Sequence, residues 1–181
     1  MTNVRIALAL LVVSLTACIR TARPPATNVS DRLADLAFFA GTWSATVEDP
    51  RNGERSTLTY RVEPVLDGEW LAGYGHSPEL NLTVRDMWGR DPISREIFRT
   101  IFDSQGIYGV IRSAGWNGDV LVLEGEARTD EGAVAVRETI TRTGPSAFRA
   151  VWEMRTGDTW VTYSIEELTR AAAPKSSRPA P

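Results

Sequence analysis

From Thr42 to Leu168 the apolar residues of this chain recur with a period of two. They do so in about ten short segments divided by clusters of Gly, Asp, Asn, Ser and Pro, with no helical repeat between them. Successive side chains of a strand point to opposite faces, so each segment reads as a strand with one face turned to a core. The segments are 42–48, 55–63, 69–75, 82–88, 95–102, 107–113, 119–128, 133–142, 146–155 and 159–168. Trp43, Ala45 and Val47 share a face in the first and Leu58, Tyr60 and Val62 in the second. In the ninth, Phe148, Ala150, Trp152 and Met154 oppose Arg149, Glu153 and Arg155. The dividers carry turn chemistry, and Asn117-Gly118 suits the positive φ angles of a tight hairpin. A meander of that many strands closes on itself, which removes exposed edges. The expected fold is therefore all-β: a single antiparallel up-and-down barrel of about ten strands. A two-sheet sandwich is the competing architecture. A barrel wider than about eight strands is not easily filled by its own side chains, so a cavity is expected.

Ahead of the first strand lies Leu33 to Phe39, a short amphipathic helix. Ser30 and Asp31 are placed to cap it, and Leu33, Leu36 and Phe39 or Phe38 share a face. Gly41 stops it, and Trp43 follows at the start of the strand. A helix lid running into Gly-x-Trp is how lipocalin-like barrels often begin, with the Trp filling the closed end.

The chain has 181 residues, 43% of them hydrophobic, enough for one domain with a full core. Its ends read differently from its middle. Residues 1–17 carry one positive charge and an apolar run too short to span a bilayer, and Leu15-Thr16-Ala17-Cys18 resembles a bacterial lipobox. Cys18 is the only cysteine, so no disulfide competes for it, and it is the expected lipidation site. Residues 18–29 read as a tether, 30–170 as the barrel and 171–181 as a disordered tail. The expected address is the bacterial cell envelope, membrane-anchored and facing the periplasm. A formal charge of −3 and a pI of about 5.3 leave no basic excess to hold nucleic acid.

Chemistry is sparse. His76 is the only histidine, which excludes a multi-histidine metal site. Haem-binding barrels of the nitrobindin type hold their iron through a histidine near the C-terminus, where this chain has none. No cofactor or metal is expected. Phosphate-cradling glycine loops, nucleophile elbows and CxxC pairs are missing from the sequence. The carboxylates to consider are Asp86, Asp103, Glu124, Glu126, Glu138 and Glu153. Glu138 stands out because it shares a strand face with Val134, Val136 and Ile140. Turned inward, its charge needs a partner, and Arg99 or Arg149 can supply one from another strand. A register error of one residue would put Arg137 inside instead. Trp70, Tyr74, Phe98, Tyr108, Trp152 and Tyr163 are the aromatic candidates for lining a ligand site. With Arg99, Glu138 and Arg149 they form the expected ligand-binding set.

Several stretches line up in order with a known family. Ala40-Gly41-Thr42-Trp43, Leu66-Asp67-Gly68-Glu69-Trp70-Leu71 and Phe102-Asp103-Ser104-Gln105-Gly106 come first. Gly115-Trp116-Asn117-Gly118-Asp119 with Glu124-Gly125, then Arg137-Glu138-Thr139, complete the set. Together they resemble the lipocalin-like bacterial family called domain of unknown function 1579, over most of residues 31–170. Trp88-Gly89-Arg90-Asp91-Pro92 departs from its usual Gly-Tyr-Asp turn. The family has no established chemistry, so the resemblance implies a fold and no catalytic residues. Three functions follow from these readings. The first is a lipid-anchored barrel binding a small apolar or amphipathic ligand. The others are an envelope interaction module with a packed barrel, and a small hydrolase or isomerase using Glu138 or Asp103 as a base. An open cavity with a charged floor speaks for the first and third.

Overall fold

The structure, a computed structural model, describes residues 29–171. The leader at 1–17, Cys18, the tether up to residue 28 and the tail beyond Ala171 lie outside the described residues. Eleven strands form one antiparallel sheet. They are β1 (Gly41–Asp49), β2 (Glu54–Val65), β3 (Trp70–Ser77), β4 (Leu82–Arg90), β5 (Ile97–Asp103), β6 (Tyr108–Ser113), β7 (Trp116–Asn117), β8 (Val120–Thr129), β9 (Gly132–Gly144), β10 (Ala147–Thr156) and β11 (Thr159–Arg170). Sequence neighbours pair in turn except that β6 passes over β7 to pair with β8, and β1 pairs with β11, so ten strands close into an up-and-down barrel. No second sheet exists among the described residues, which rules out the sandwich.

Two glycines, Gly109 and Gly125, lie in the β6–β8 seam that closes the barrel, and Gly125 is the tighter. Gly125 stands opposite Ile111, and a Cβ there would sit 2.0 Å from the carbonyl oxygen of Val110. The two-residue β7 is a spur that pairs only with β8. Its turn is centred one residue later than the sequence pattern implies: Asn117 is already paired with Val120, and Gly118 takes the positive φ of 60°. β4 also runs past Gly89 to Arg90. The ring of Trp70 lies over Gly89, where a Cβ would come within 2.5 Å of it, so the glycine serves packing and not strand termination.

The N-terminal helix, Asp31–Phe39, is a 3-10 helix kinked at Leu33. With three residues per turn, the i, i+3 spacing of Leu33, Leu36 and Phe39 puts all three on one face, and all three are fully buried. Neither expected side-chain cap forms. The Ser30 hydroxyl makes no cap bond, and its carbonyl instead accepts the Leu33 N–H at 2.9 Å, as an i→i+3 turn requires.

This helix plugs one end of the barrel. Phe39 stacks on Trp88 and Trp116 at 5.0 and 5.8 Å, and Trp43 meets Phe148 edge-on at 4.8 Å. The unpaired carbonyls of so short a helix find donors from distant strands. Trp43 Nε1 donates to Phe39 O at 2.8 Å, and Trp116 Nε1 and Arg142 Nη2 both donate to Asp35 O. Arg170 donates to Phe38 O at 2.8 Å and Ala40 O at 2.6 Å while lying 4.2 Å over the Trp43 ring. Gly41, at φ 133°, leaves the space that the Arg170 guanidinium fills, since a Cβ there would fall 2.2 Å from Nη1.

Candidate functional site

Beyond the plug the barrel is open. A cavity of about 860 Å³ runs from the aromatic layer around Phe39, Trp88 and Phe148 to a mouth among the β1–β2, β3–β4 and β5–β6 turns. Its walls are aliphatic, with Val47, Leu58, Val84, Ile101, Val136 and Leu168 among them. Strand parity explains why there is space: the inward positions of β3 fall on Gly73, Gly75 and Ser77, which carry almost no side chain. The interior is therefore not packed solid.

A charged network crosses the floor. Arg99 on β5 points inward and donates from Nη1 to both oxygens of Glu138 on β9, at 2.7 and 2.6 Å. Its Nε donates to Asp86 Oδ2 on β4 at 2.9 Å, and Nη2 reaches the same oxygen. The guanidinium lies between two indoles, 4.5 Å over Trp88 and 5.5 Å over Trp152. Tyr60 on β2 donates to Asp86 Oδ2 at 2.7 Å and accepts from Trp88 Nε1 at 3.2 Å. Gly73 makes room for this group, because a Cβ there would lie 1.8 Å from Asp86 Oδ1. That oxygen is buried with no hydrogen-bond partner.

Arg99 thus serves two buried carboxylates with one charge. Burial works against its ionisation, and Asp86 and Glu138 together outweigh that and hold it protonated. Burial pushes the Glu138 carboxyl above its ordinary value, and Arg99 pulls it part of the way back. Burial also raises the Tyr60 hydroxyl, with the Asp86 charge adding to the effect.

A third carboxylate, Glu166 on β11, lines the same cavity. Burial raises it to about 7, the charge of Glu138 adds to the rise, and Arg99 and the indole N–H of Trp152 oppose it. Nothing in the alternating pattern singles Glu166 out, for a physical reason. A bulge between the Trp152–Ser164 and Glu153–Thr162 pairs leaves Tyr163 without an opposite residue on β10. The bulge turns both Tyr163 and Ser164 to the cavity and breaks the parity of β11, so strict alternation fails along it.

Of the nine residues expected at a ligand site, Arg99, Glu138, Trp152 and Tyr163 line the cavity, and Tyr108 reaches only its rim. Tyr108 is half exposed, with its ring stacked on Phe102. The remaining four are corrected by strand parity to the outer surface. Trp70 packs edge-on against Phe98 at 5.5 Å, and Tyr74 is held between Arg61 and Arg85. Arg149 pairs with Glu167 at 3.0 Å, outside the barrel, so Arg99 is the partner of Glu138. Arg137 also stays outside and pairs with Glu153 at 2.7 Å, while Glu138 is 3% exposed.

The other candidate acids are occupied. Glu124 and Glu126 pair with Arg137 and Arg128 at the surface. Asp103 lines the cavity mouth, but its Oδ1 accepts the N–H groups of Gln105 and Ile107 and fastens a turn. His76 is exposed on β3. Among the described residues no group of three or more His, Cys, Asp or Glu is arranged to hold a metal ion. Tyr60, Asp86 and Glu166 complete the floor that sequence reading only partly assembles.

Compared with known proteins, the chain matches no family model and no curated protein. Among the solved structures that it resembles are two β-barrels. One is a redesigned beta barrel, 16% identical, covering 75% of this chain and 93% of its own, with a TM-score of 0.36. The other is the redesigned beta barrel mFAP1 bound to DFHBI, 18% identical, covering 74% of this chain and 95% of its own, also with a TM-score of 0.36. Both are similar in being β-barrels.

Proposed function

We propose that this protein binds a small apolar or amphipathic molecule inside its barrel, while a lipid on Cys18 holds it at the bacterial cell envelope, facing the periplasm. One observation carries the binding reading: a cavity of about 860 Å³, open at one end, with aliphatic walls and a few convergent polar groups at its floor. The lipobox-like Leu15-Thr16-Ala17-Cys18, with no other cysteine in the chain, supports the anchor. The ordered turn motifs support kinship with domain of unknown function 1579. An interaction module with a filled barrel accounts less well for this cavity.

A second reading, a small hydrolase or isomerase, draws on Glu166 alone. A cavity carboxyl held at about 7 suits a general base near neutral pH. Turnover abolished by Glu166→Gln in a folded protein would favour it.

The test of binding is mass spectrometry of small molecules released when the natively purified protein is denatured. A defined compound with an apolar portion is expected, and it should vanish when Val136→Trp fills the cavity. The same compound retained by that variant would overturn the reading. For the anchor, Cys18→Ser should move the protein out of the membrane fraction, and unchanged detergent partitioning would overturn the lipid attachment.

A further inference from the structure

We propose that the occupant of the cavity is a lipophilic cation, whose positive head lies against Glu166 and the Glu138 edge of the floor while its apolar part fills the aliphatic barrel. This rests on the reading of the cavity as a small-molecule site and adds the charge of the ligand. The argument begins with what Arg99 has left to give. Its donors are committed to Asp86 and Glu138, and Asp86 Oδ1 still lacks a partner. Two carboxylates and one guanidinium already leave the floor one negative charge in excess when ionised. Glu166 adds another and has no cation of its own within the cavity interior.

The groups that face Glu166 are known on every side. Its strand neighbours are Val47 on β1 and Ala150 on β10, both apolar. Glu138 stands two strands away on β9, beyond Trp152, and its charge, with those of Arg99 and Asp86, acts on Glu166. Trp152 and Tyr163 line the same cavity with ring centroids 6.4 Å apart, and both interact electrostatically with its carboxyl. A carboxylate beside two aromatic rings suits an ammonium head, which gains Coulombic attraction from the acid and quadrupole attraction from the ring faces.

The rim carries the same bias. The charged side chains lining the cavity comprise three arginines, Arg51, Arg55 and Arg99, against six carboxylates. Arg51 is clasped by Asp49 and Arg55 by Glu48, so neither is a free cation at the mouth. An anion entering this mouth would meet repulsion from rim to floor, and a cation would be drawn in.

Three ten-carbon probes of equal tail length test the charge. Decyltrimethylammonium, decanol and decanoate are titrated below their micellar concentrations into the full chain carrying Cys18→Ser, with tryptophan fluorescence as the readout. At about pH 8.5, where Glu166 is ionised, the ammonium should bind at least about tenfold more tightly than decanol, and decanoate more weakly than either. The ratio of ammonium to decanol affinity should fall below about threefold in Glu166→Gln. It should fall similarly in the unmodified cavity at about pH 5.5, where Glu166 is protonated.

Equal binding of all three probes would keep the cavity reading and overturn the cation. Tighter decanoate would overturn it as well, assigning Arg99 as the head-group partner. Binding of none would overturn both. A preference that survives both Glu166→Gln and acid pH would remove Glu166 from the site and overturn the proposal as stated.

Discussion

At the plugged end of the barrel the guanidinium groups of Arg142 and Arg170 donate to backbone carbonyls of the helix and lie over Trp116 and Trp43. At the cavity floor, a few residues along the same interior, Arg99 also lies over indoles but donates to carboxylates and to Tyr60. The difference is one of charge balance. Carbonyl oxygens are dipoles that water would otherwise satisfy, so arginines that replace water there complete a closed structural layer. Carboxylates carry full charges, and one guanidinium shared between two of them leaves the floor short of positive charge. One end is thereby finished, and the other retains chemistry that a ligand can complete.

If the plug bears the fold and the open end does not, truncation to alanine should cost far more at the plug than at the open end. Trp43→Ala removes a fully buried indole, its bond to Phe39 and the surface beneath Arg170. It should destabilise by about 4–5 kcal/mol in urea titrations. Leu58→Ala removes a side chain that already borders the cavity, so little new void forms and about 1 kcal/mol is expected. Equal losses at the two positions would mean that the cavity is collapsed in solution.

Arg99→Met tests the floor. It leaves Asp86 and Glu138 buried without their cation, and about 3–4 kcal/mol should be lost. Adding Asp86→Asn and Glu138→Gln to the same chain should recover most of that. A neutral effect of Arg99→Met alone would mean that water enters the floor and compensates the acids.

A smaller cost is expected where the plug is latched. Gly41→Ala imposes a side chain at φ 133° and on the space of Arg170 Nη1, for a loss of about 2 kcal/mol. In a double-mutant cycle, Gly41→Ala in an Arg170→Ala background should cost less than in the parent. Additive costs would leave the backbone angle as the whole reason for the glycine.

How much of this was legible in the chain differs between the two ends in the same way. The plug was readable because its signals are local: three apolar residues at i, i+3 spacing and Trp43 near the head of the strand that follows, although the helix ends at Ala40 and Gly41 already belongs to β1. The latch was not, since Arg170 lies 130 residues from Ala40 and nothing in its surroundings marks it. At the floor, the inward turn of Glu138 follows from period-two neighbours. Its partner was also within reach. Phe148, Ala150 and Trp152 occupy the inner face of β10 and send Arg149 outward, leaving Arg99 of the two candidates. The aromatic expectation erred where parity was not applied: Trp70 and Tyr74 alternate with Leu71, Gly73 and Gly75, and it is these three that face in. Glu166 was hidden by the bulge at Tyr163, because a break in alternation has no signature in residue type.

The smallest effect separates the two ends by pH. The Glu166 carboxyl is raised from 4.5 to about 7 in the folded protein, first by burial and then by Glu138, whereas in the unfolded chain it returns to the lower value. The folded state therefore binds this proton more tightly than the unfolded state does. Its contribution to stability is fully present below about pH 4.5 and is lost as pH rises through about 7. Allowing for partial access to the cavity, the loss between about pH 5 and pH 8 should be about 2 kcal/mol, read from urea midpoints at constant ionic strength. Glu166→Gln should flatten that slope, while Trp43→Ala should lower stability equally at every pH because its partners Phe38, Phe39, Phe148 and Arg170 do not titrate in that range. Should the slope persist in Glu166→Gln, the proton belongs to Glu138, whose carboxyl is raised for the same reason and would then titrate against Arg99. In that case Glu138→Gln removes the slope instead, and the excess charge of the cavity sits at the centre of the floor, away from the β11 wall.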